Sequence, residues 1–337
     1  MFKDGNLFFF NNGDEFISFN YNKFKSFDLN EFYNNEYYNK NCFNDKEKDN
    51  IFIFNDNNIE ENAIKLNQDN IYNLENTIIK FINDEKSLNY FSIKSKNFEV
   101  LSIDIEGDFD SKDIRINLIQ ICDDTNSKND IYVIDFETFK NEEKNIFNKL
   151  SFLLKSIFEN KNIKKIFFDG RSDLLSLHKE LNICVNNYID LSSLYNAVNS
   201  FQELYKFKIS EEQDEKKFNK CFKFLKQNFY CKGLNAVLKN FHSKNCINPL
   251  KEKYHKLFKE KEYEYWAKRP IIEEFLLYSA LDVKYEFDTY NNLKNCLKNI
   301  LINLYEMKEI ENNNIDLIIL LISCWNHKEA CNNFKKL

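Results

Sequence analysis

The chain has 337 residues, of which 43% are hydrophobic and 30% are charged, so it is long enough to bury one large or two small cores. Its net charge of −6 excludes a protein that coats nucleic acid by charge alone, although not an enzyme acting on it. The nine cysteines form no CxxC pair, which disfavours zinc and disulfide frameworks and favours a reducing compartment. We therefore expect an intracellular protein of the nucleus or cytoplasm, neither secreted nor spanning a membrane.

Residues 1–68 are rich in Asn, Asp, Lys, Tyr and Phe and contain no recognisable chemistry. Within them, NLFFFNNGDEFISFNY has the pattern of a hairpin that turns at Asn-Asn-Gly-Asp. The composition of the remainder fits a disordered extension and a small domain equally well.

Residues 69–295 have the pattern of predicted helices and strands that is typical of one mixed α/β domain. The apolar spacing in NLENTIIKFINDEK predicts a helix, and NFEVLSIDIEG, RINLIQICD and DIYVIDF then predict three successive strands. Helix KNIFNKLSFLLKSIFEN, strand IKKIFFDG and a helix from RSDLLSLHKEL follow. This order is typical of one central mixed β-sheet flanked by helices.

Three further segments complete the sequence. The region 206–230 is either a charged insertion or a solvated helix pair, and GLNAVLKNF predicts a short helix opened by Gly233. Residues 296–337 predict a helical tail with an Asn-rich break at 312–314.

Asp104 and Glu106 lie two apart on the strand VLSIDIEG, so their side chains share one face. Adjacent carboxylates repel each other unless a cation lies between them. Gly107 is expected to close the strand and let backbone approach a ligand. An exposed polar strand face is the ordinary alternative.

Asp173 follows the strand IKKIFFDG and lies in the first turn of the next helix. A helix dipole alone favours an aspartate there. Asp169 is a second carboxylate at the same strand end and competes for a functional role, while Arg171 can neutralise either one.

Tyr278 and Asp282 are four residues apart on a predicted helix that starts after Arg269-Pro270, so they share one face. A tyrosine hydroxyl above a carboxylate-bound metal can orient an attacking water. The alternative is an amphipathic helix on which Tyr278 is half-buried.

In this order the three motifs resemble the DEDD superfamily of 3′–5′ exonucleases, in the tyrosine-containing branch of ribonuclease D-like and proofreading domains. DIEG resembles the first motif, FFDGRSDLLSL the second and YSALDV the third. RINLIQI, NICVNNYIDLSSL and KGLNAVL followed by WAKRP extend the resemblance over about residues 70–295. FFDGRSD with WAKRP looks closest to eukaryotic exonuclease-domain-containing proteins of the ribonuclease D type. Leu277 stands where a histidine would mark the other branch.

The resemblance implies a ribonuclease H-like fold, two Mg²⁺ or Mn²⁺ ions, and stepwise release of nucleoside 5′-monophosphates from a 3′ end, with RNA favoured over DNA. By matching position, Asp104, Glu106 and Asp282 would hold one ion, and Asp104 with Asp173 the other. Tyr278 would position the water. Oxygen ligands suit Mg²⁺, and two ions about 4 Å apart can stabilise the attacking and leaving oxygens.

The resemblance leaves the second metal and the substrate channel open. Asp169 stands where many relatives carry Asn or His, so either it or Asp173 could support the second ion. We expect Arg171, Lys268 and Arg269 to contact substrate. A lysine-rich run also predicts either a phosphate-binding groove or a solvated face, and its members are Lys251, Lys253, Lys256, Lys259, Lys261 and Lys268.

Two other functions remain as hypotheses. A catalytically inactive protein could keep the fold as an RNA-binding scaffold, although every expected ligand is present here. A DNA proofreading or repair exonuclease would use the same residues. In all three cases the expected partner is nucleic acid.

Overall fold

The computed structural model of the chain describes a limited set of residues. They are 6–10, 16–20, 70–74, 77–109, 114–125, 130–209, 232–242, 246–254, 265–306, 309–312, 314–316, 318–320 and 322–323. The chain divides into two compact units, one formed by residues 1–56 with 311–317 and the other by residues 57–310 with 318–337.

The first unit contains a β-hairpin. Strand β1 (Asn6–Phe10) pairs antiparallel with β2 (Phe16–Asn20), so that Asn6 lies opposite Asn20. The predicted hairpin is confirmed in its two strands. Its turn at residues 11–14 lies outside the described residues.

The second unit is built on one seven-stranded sheet. Its strands are β3 (Ile71–Leu74), β4 (Thr77–Ile82), β5 (Val100–Asp108), β6 (Arg115–Asp123), β7 (Asp130–Ile134), β8 (Lys164–Phe167) and β9 (Tyr188–Asp190). Their order across the sheet is β3-β4-β7-β6-β5-β8-β9. The pairs β3–β4, β5–β6 and β6–β7 are antiparallel, and the pairs β4–β7, β5–β8 and β8–β9 are parallel. The predicted mixed sheet is confirmed.

Helices flank this sheet. They are α1 (Glu85–Ser95), α2 (Phe136–Lys140), α3 (Lys144–Phe158), α4 (Arg171–Leu181), α5 (Leu191–Ile209), α6 (Leu234–Phe241), α7 (Glu273–Val283) and α8 (Glu286–Tyr305). Residues 250–254 and 265–267 are also helical. The predicted helices corresponding to α3, α4, α6 and α7 are confirmed.

Alternation along the central strands divides the core between the two faces of the sheet. Ile103 and Ile105 of β5 belong to a buried cluster that also contains residues of α1, α3 and α4. On the opposite face Leu118 of β6 packs with Phe275 and Tyr278 of α7. Because side chains alternate along a strand, Asp104 and Glu106 necessarily lie on the face that α7 covers.

The predicted helix over NLENTIIKFINDEK is wrong. Residues Thr77–Ile82 form β4 instead, with Ile78 exposed and Ile79 fully buried, as a period of two requires. The β-branched pair of isoleucines favours a strand. The helix that follows starts only at Glu85, after the capping residue Asp84.

The predicted start of α7 is confirmed, because the helix begins at Glu273, after Arg269-Pro270. Helix α8 ends at Tyr305, and Glu306 has left-handed backbone with φ of 55°, so the chain leaves this helix before the predicted break at 312–314. The division into residues 1–68, 69–295 and 296–337 stays a prediction. Most of the segment 206–230 lies outside the described residues.

Among the residues the structure describes, no helix combines the length and the apolar character needed to cross a membrane.

Candidate active site

Three predicted carboxylates meet between β5 and α7. One oxygen each from Asp104, Glu106 and Asp282 can be chosen so that all three lie within 4.8 Å of one another. Strand alternation places the first two side by side, and α7 packs over that face of the sheet and brings the third. We call these three residues the carboxylate cluster.

Asp282 is the most buried member of the cluster, with 2% of its surface exposed. Its Oδ1 accepts a hydrogen bond of 2.8 Å from Asn248 Nδ2, and its Oδ2 lies 2.8 Å from the Lys251 ammonium. Burial raises the pKa of Asp282, and the attraction of Lys251 opposes that rise. The charged carboxylate is thus held by one amide and one ammonium.

Asn248 fixes the chain segment that carries these two donors. It is fully buried, and it also donates to the backbone oxygen of Tyr278 at 2.9 Å. Its backbone is tied to the Asn235 side chain of α6 by two hydrogen bonds, of 2.7 and 2.8 Å. The backbone and the side-chain amide of Asn248 are therefore all hydrogen-bonded, which fixes the position from which Asn248 donates to Asp282.

Asp173 stands next to the cluster, in the first turn of α4, with 6% of its surface exposed. Burial raises its pKa well above the usual range, and the neighbouring charge of Asp104 raises it further. Two buried carboxylates in mutual repulsion favour a proton or a cation between them.

Asp169 has a different environment. Its backbone is left-handed with φ of 56°, and its carboxylate accepts bonds of 2.5 and 2.8 Å from the Arg171 guanidinium. Both side chains are more than a third exposed. Asp190 supports this bend by accepting the Asp169 backbone N–H at 3.2 Å. Of the two candidates for the second ion, the geometry therefore favours Asp173.

Tyr278 lies one helical turn before Asp282 and is 8% exposed. Its ring packs edge-on against Trp266, at a centroid distance of 5.6 Å. On the cluster side, the Lys251 ammonium lies 5.5 Å from the ring centroid. The packing fixes where the hydroxyl can point.

The donor set fits a hard divalent cation. The cluster offers three carboxylate oxygens from two buried residues and one half-buried residue, with the buried Asp173 alongside. Oxygen ligands of this kind suit Mg²⁺ and Mn²⁺. A single ammonium facing three carboxylates leaves a net negative charge, which a divalent ion would neutralise.

A model of the 3′–5′ exonuclease family matches this chain over residues 79–209 and 203–298, which is more than half of its length. The chain belongs to the 3′–5′ exonuclease family. The match contains all five residues of the predicted motifs. The resemblance inferred from the motifs is confirmed.

Solved structures similar to this chain have low sequence identity to it. Trypanosoma brucei RNase D with GMP is 20% identical, with a TM-score of 0.48, and the alignment covers 67% of this chain and 61% of that one. The Trypanosoma brucei RRP6 catalytic core is 17% identical, with a TM-score of 0.48, and the alignment covers 79% of this chain and 57% of that one. The Aedes aegypti Nibbler exonuclease domain is 17% identical, with a TM-score of 0.47, and the alignment covers 70% of this chain and 96% of that one. No curated protein matches the sequence.

The residues predicted to contact substrate have different environments in the structure. Arg269 is turned inward, where its guanidinium bonds to Asp135 at 2.5–2.8 Å and to the backbone oxygen of Trp266 at 2.6 Å. It joins the N-terminus of α2 to the segment before α7, so we assign it a structural role. Lys268 is exposed beside the Tyr265 ring.

The predicted lysine groove is only partly described. Lys251 lies at the carboxylate cluster, and Lys253 pairs with Glu274 at the surface. Lys256, Lys259 and Lys261 lie outside the described residues.

Gly107 serves the sheet rather than a ligand. The strand continues to Asp108, and the register shifts between Glu106 and Gly107. A Cβ at this position would come 2.0 Å from the backbone oxygen of Arg115 on β6. Only glycine permits that approach.

Sequence reasoning missed two buried polar residues beside the cluster. Gln120 lies directly opposite Asp104 in the sheet, and Glu286 is 1% exposed with an Oε2 that has no hydrogen-bond partner among the described residues. Burial raises the pKa of Glu286 well above its usual value, and Asp104 and Asp282 raise it further. The four-residue spacing from Asp282 is no signal for Glu286, because α7 ends at Val283 and Glu286 starts α8.

Proposed function

We propose that this protein is a two-metal-ion 3′–5′ exonuclease that hydrolyses RNA from the 3′ end to nucleoside 5′-monophosphates. The observation that carries the proposal is the carboxylate cluster, where strand β5 and helix α7 bring three oxygen ligands together next to the buried Asp173. Its position inside the family match supports the same conclusion.

Each residue has a distinct proposed role. Asp104, Glu106 and Asp282 would hold one Mg²⁺ or Mn²⁺ ion, and Asp104 with Asp173 the second. When bound, the two ions would lower the pKa of a water and stabilise the attacking and leaving oxygens of an in-line displacement. The Tyr278 hydroxyl would orient that water, because Tyr278 lies one helical turn before Asp282 on α7 and its ring lies beside the Lys251 ammonium.

The supporting residues keep this arrangement in place. Asn248 would orient Asp282 by donating to its Oδ1, while the Asp282 Oδ2 has no amide partner. Removing a residue that hydrogen-bonds to a metal ligand typically lowers metal affinity or activity by about 10–100-fold. Arg171 and Lys268 remain proposed substrate contacts, and the intracellular location, in the nucleus or cytoplasm, remains a prediction.

RNA is the proposed substrate because of the motif resemblance. FFDGRSD and WAKRP resemble ribonuclease D-type proteins more closely than proofreading domains. The proposed partner is therefore a single-stranded RNA 3′ end.

The test is an exonuclease assay on RNA and DNA strands of matched sequence, labelled at the 5′ end, with Mg²⁺, Mn²⁺ or EDTA. We expect a ladder shortened from the 3′ end, nucleoside 5′-monophosphates as products, and no cleavage in EDTA. Asp104→Asn should reduce the rate by more than about 100-fold, since it removes a direct ligand rather than a supporting residue.

Two isosteric variants separate the candidates for the second ion. Asp173→Asn should lose activity, whereas Asp169→Asn should retain it, because asparagine tolerates left-handed backbone and can still accept from Arg171. Tight RNA binding without cleavage by the wild-type protein would instead identify a scaffold. Faster cleavage of DNA than of RNA would identify a proofreading or repair enzyme.

A further inference from the structure

The carboxylate cluster already contains a cation of its own, the ammonium group of Lys251. Lys251 Nζ lies 2.8 Å from Asp282 Oδ2. The charges of Asp282, Asp104 and Glu106 all act on it, so that its pKa stays above that of a free lysine despite burial. An ammonium in this position replaces part of the charge that a metal ion would supply.

We propose that Lys251 neutralises the carboxylate cluster in the metal-free protein and is displaced from Asp282 when a divalent ion binds. This inference rests on the proposed function only in that the cluster binds the metal. Lys251 is thus a positioning residue that competes with the metal and does not ligate it.

The different partners of the two Asp282 oxygens explain why Lys251 and a bound metal ion compete. Oδ1 accepts from Asn248, which is fully buried and fixed by Asn235. Oδ2 is the Asp282 oxygen without an amide partner, and it faces Lys251, so a metal that binds this oxygen meets the ammonium. Two like charges at one buried oxygen repel each other strongly, because little solvent screens them.

The surroundings of Lys251 allow its side chain to leave without a change in the backbone. Its side chain is 33% exposed, whereas that of Asp282 is 2% exposed. The helical residues 250–254 are anchored at one end by Asn248 and at the other by the contacts of Lys253 and Tyr254 with Glu274. A flexible four-carbon stem can turn towards solvent while these anchors hold.

The test measures Mn²⁺ binding without nucleic acid, from the electron paramagnetic resonance signal of free Mn²⁺ in a titration of the metal-stripped full-length protein. We expect Lys251→Gln to bind Mn²⁺ about ten-fold more tightly than the wild type or better, since the competing charge is gone. Lys251→Arg keeps a cation and should stay within about two-fold of wild type. Lys144→Gln, at the exposed start of α3, is the matched surface control and should not change the affinity.

The outcomes distinguish this inference from the proposed function. Equal or weaker binding by Lys251→Gln, with normal binding by the wild type, overturns the displacement of Lys251 and leaves the metal site intact. Absence of Mn²⁺ binding by all variants overturns both proposals.

A second measurement uses the unmodified protein, so it does not depend on Lys251→Gln folding. With lysine side chains labelled with ¹⁵N, the Lys251 Nζ resonance is identified by its absence from Lys251→Arg. Mg²⁺ should move that resonance towards the position of solvent-exposed lysines and leave that of Lys253 in place. A Lys251 resonance that does not respond to saturating Mg²⁺ overturns the proposal.

Discussion

Asp124 gives the sharpest prediction about stability, because its carboxyl group is buried and forms no ion pair with another described residue. It is 4% exposed, accepts a 2.8 Å bond from Ser102 Oγ at Oδ2, and has Cys122 Sγ 3.6 Å from Oδ1. Burial raises its pKa from 3.8 to about 7, although the bonds from Ser102 and Cys122 oppose the rise. The folded protein therefore holds this proton more tightly than the unfolded chain does.

The sign and the magnitude follow from that difference. A folded pKa above the unfolded one contributes stability that is complete below about pH 4 and is lost as the pH rises through about 7. At about 1.36 kcal/mol per pKa unit, the loss attributable to Asp124 is at most about 4 kcal/mol. Asp124→Asn keeps the shape of the side chain and an acceptor for Ser102 but cannot ionise. The variant should therefore not show this loss of stability as the pH rises.

The assay is urea unfolding in EDTA at about pH 5 and about pH 8, with wild type and variant side by side. The wild type should lose stability relative to Asp124→Asn between the two pH values. Glu142→Gln, at an exposed position that does not act on Asp124, is the control and should follow the wild type. A stability difference between wild type and Asp124→Asn that is the same at both pH values would refute the reasoning.

Three further variants test how the fold supports the site, each by its free energy of unfolding. Arg269→Lys cannot keep the paired bonds to the buried Asp135 and should cost about 3 kcal/mol. Gly107→Ala forces a Cβ to 2.0 Å from the Arg115 backbone oxygen and should cost about 2–4 kcal/mol. Asp190→Ala removes the acceptor of three backbone N–H groups at 2.8–3.3 Å and should cost about 1–3 kcal/mol.

Matched controls exist for the first two variants. Lys268→Gln changes the exposed neighbour of Arg269 and should leave stability within about 0.5 kcal/mol of the wild type. Gly233→Ala adds a methyl group where no atom of the described residues lies within 4 Å, so it should be tolerated. If Gly107→Ala proved as stable as Gly233→Ala, the close approach of β5 and β6 would be contradicted.

The central strands were predictable because their patterns are continuous. VLSIDIEG and RINLIQICD consist mainly of apolar residues, most of which are buried, and the carboxylates Asp104 and Glu106 mark the functional face. The α7 motif was equally clear, since Tyr278 and Asp282 are spaced for one helical face.

What could not be predicted depends on contacts between distant segments. Asn248 belongs to no recognisable sequence motif, yet it donates a hydrogen bond to Asp282, which lies 34 residues later in the chain. Lys251 looked like one lysine among many in a charged run, and only the packing of residues 250–254 against α7 selects it. The strand β4 was mistaken for a helix because short apolar runs are compatible with both periods until a neighbouring strand pairs with them.

The central claim is that β5 and α7 form a binding site for divalent ions. Its most direct test is a crystal structure of the wild-type protein in Mn²⁺, with anomalous difference maps. We predict one peak bound by Asp104, Glu106 and Asp282 and a second beside Asp104 and Asp173. A well-ordered carboxylate cluster without an anomalous peak, at a Mn²⁺ concentration that supports cleavage, would contradict the account.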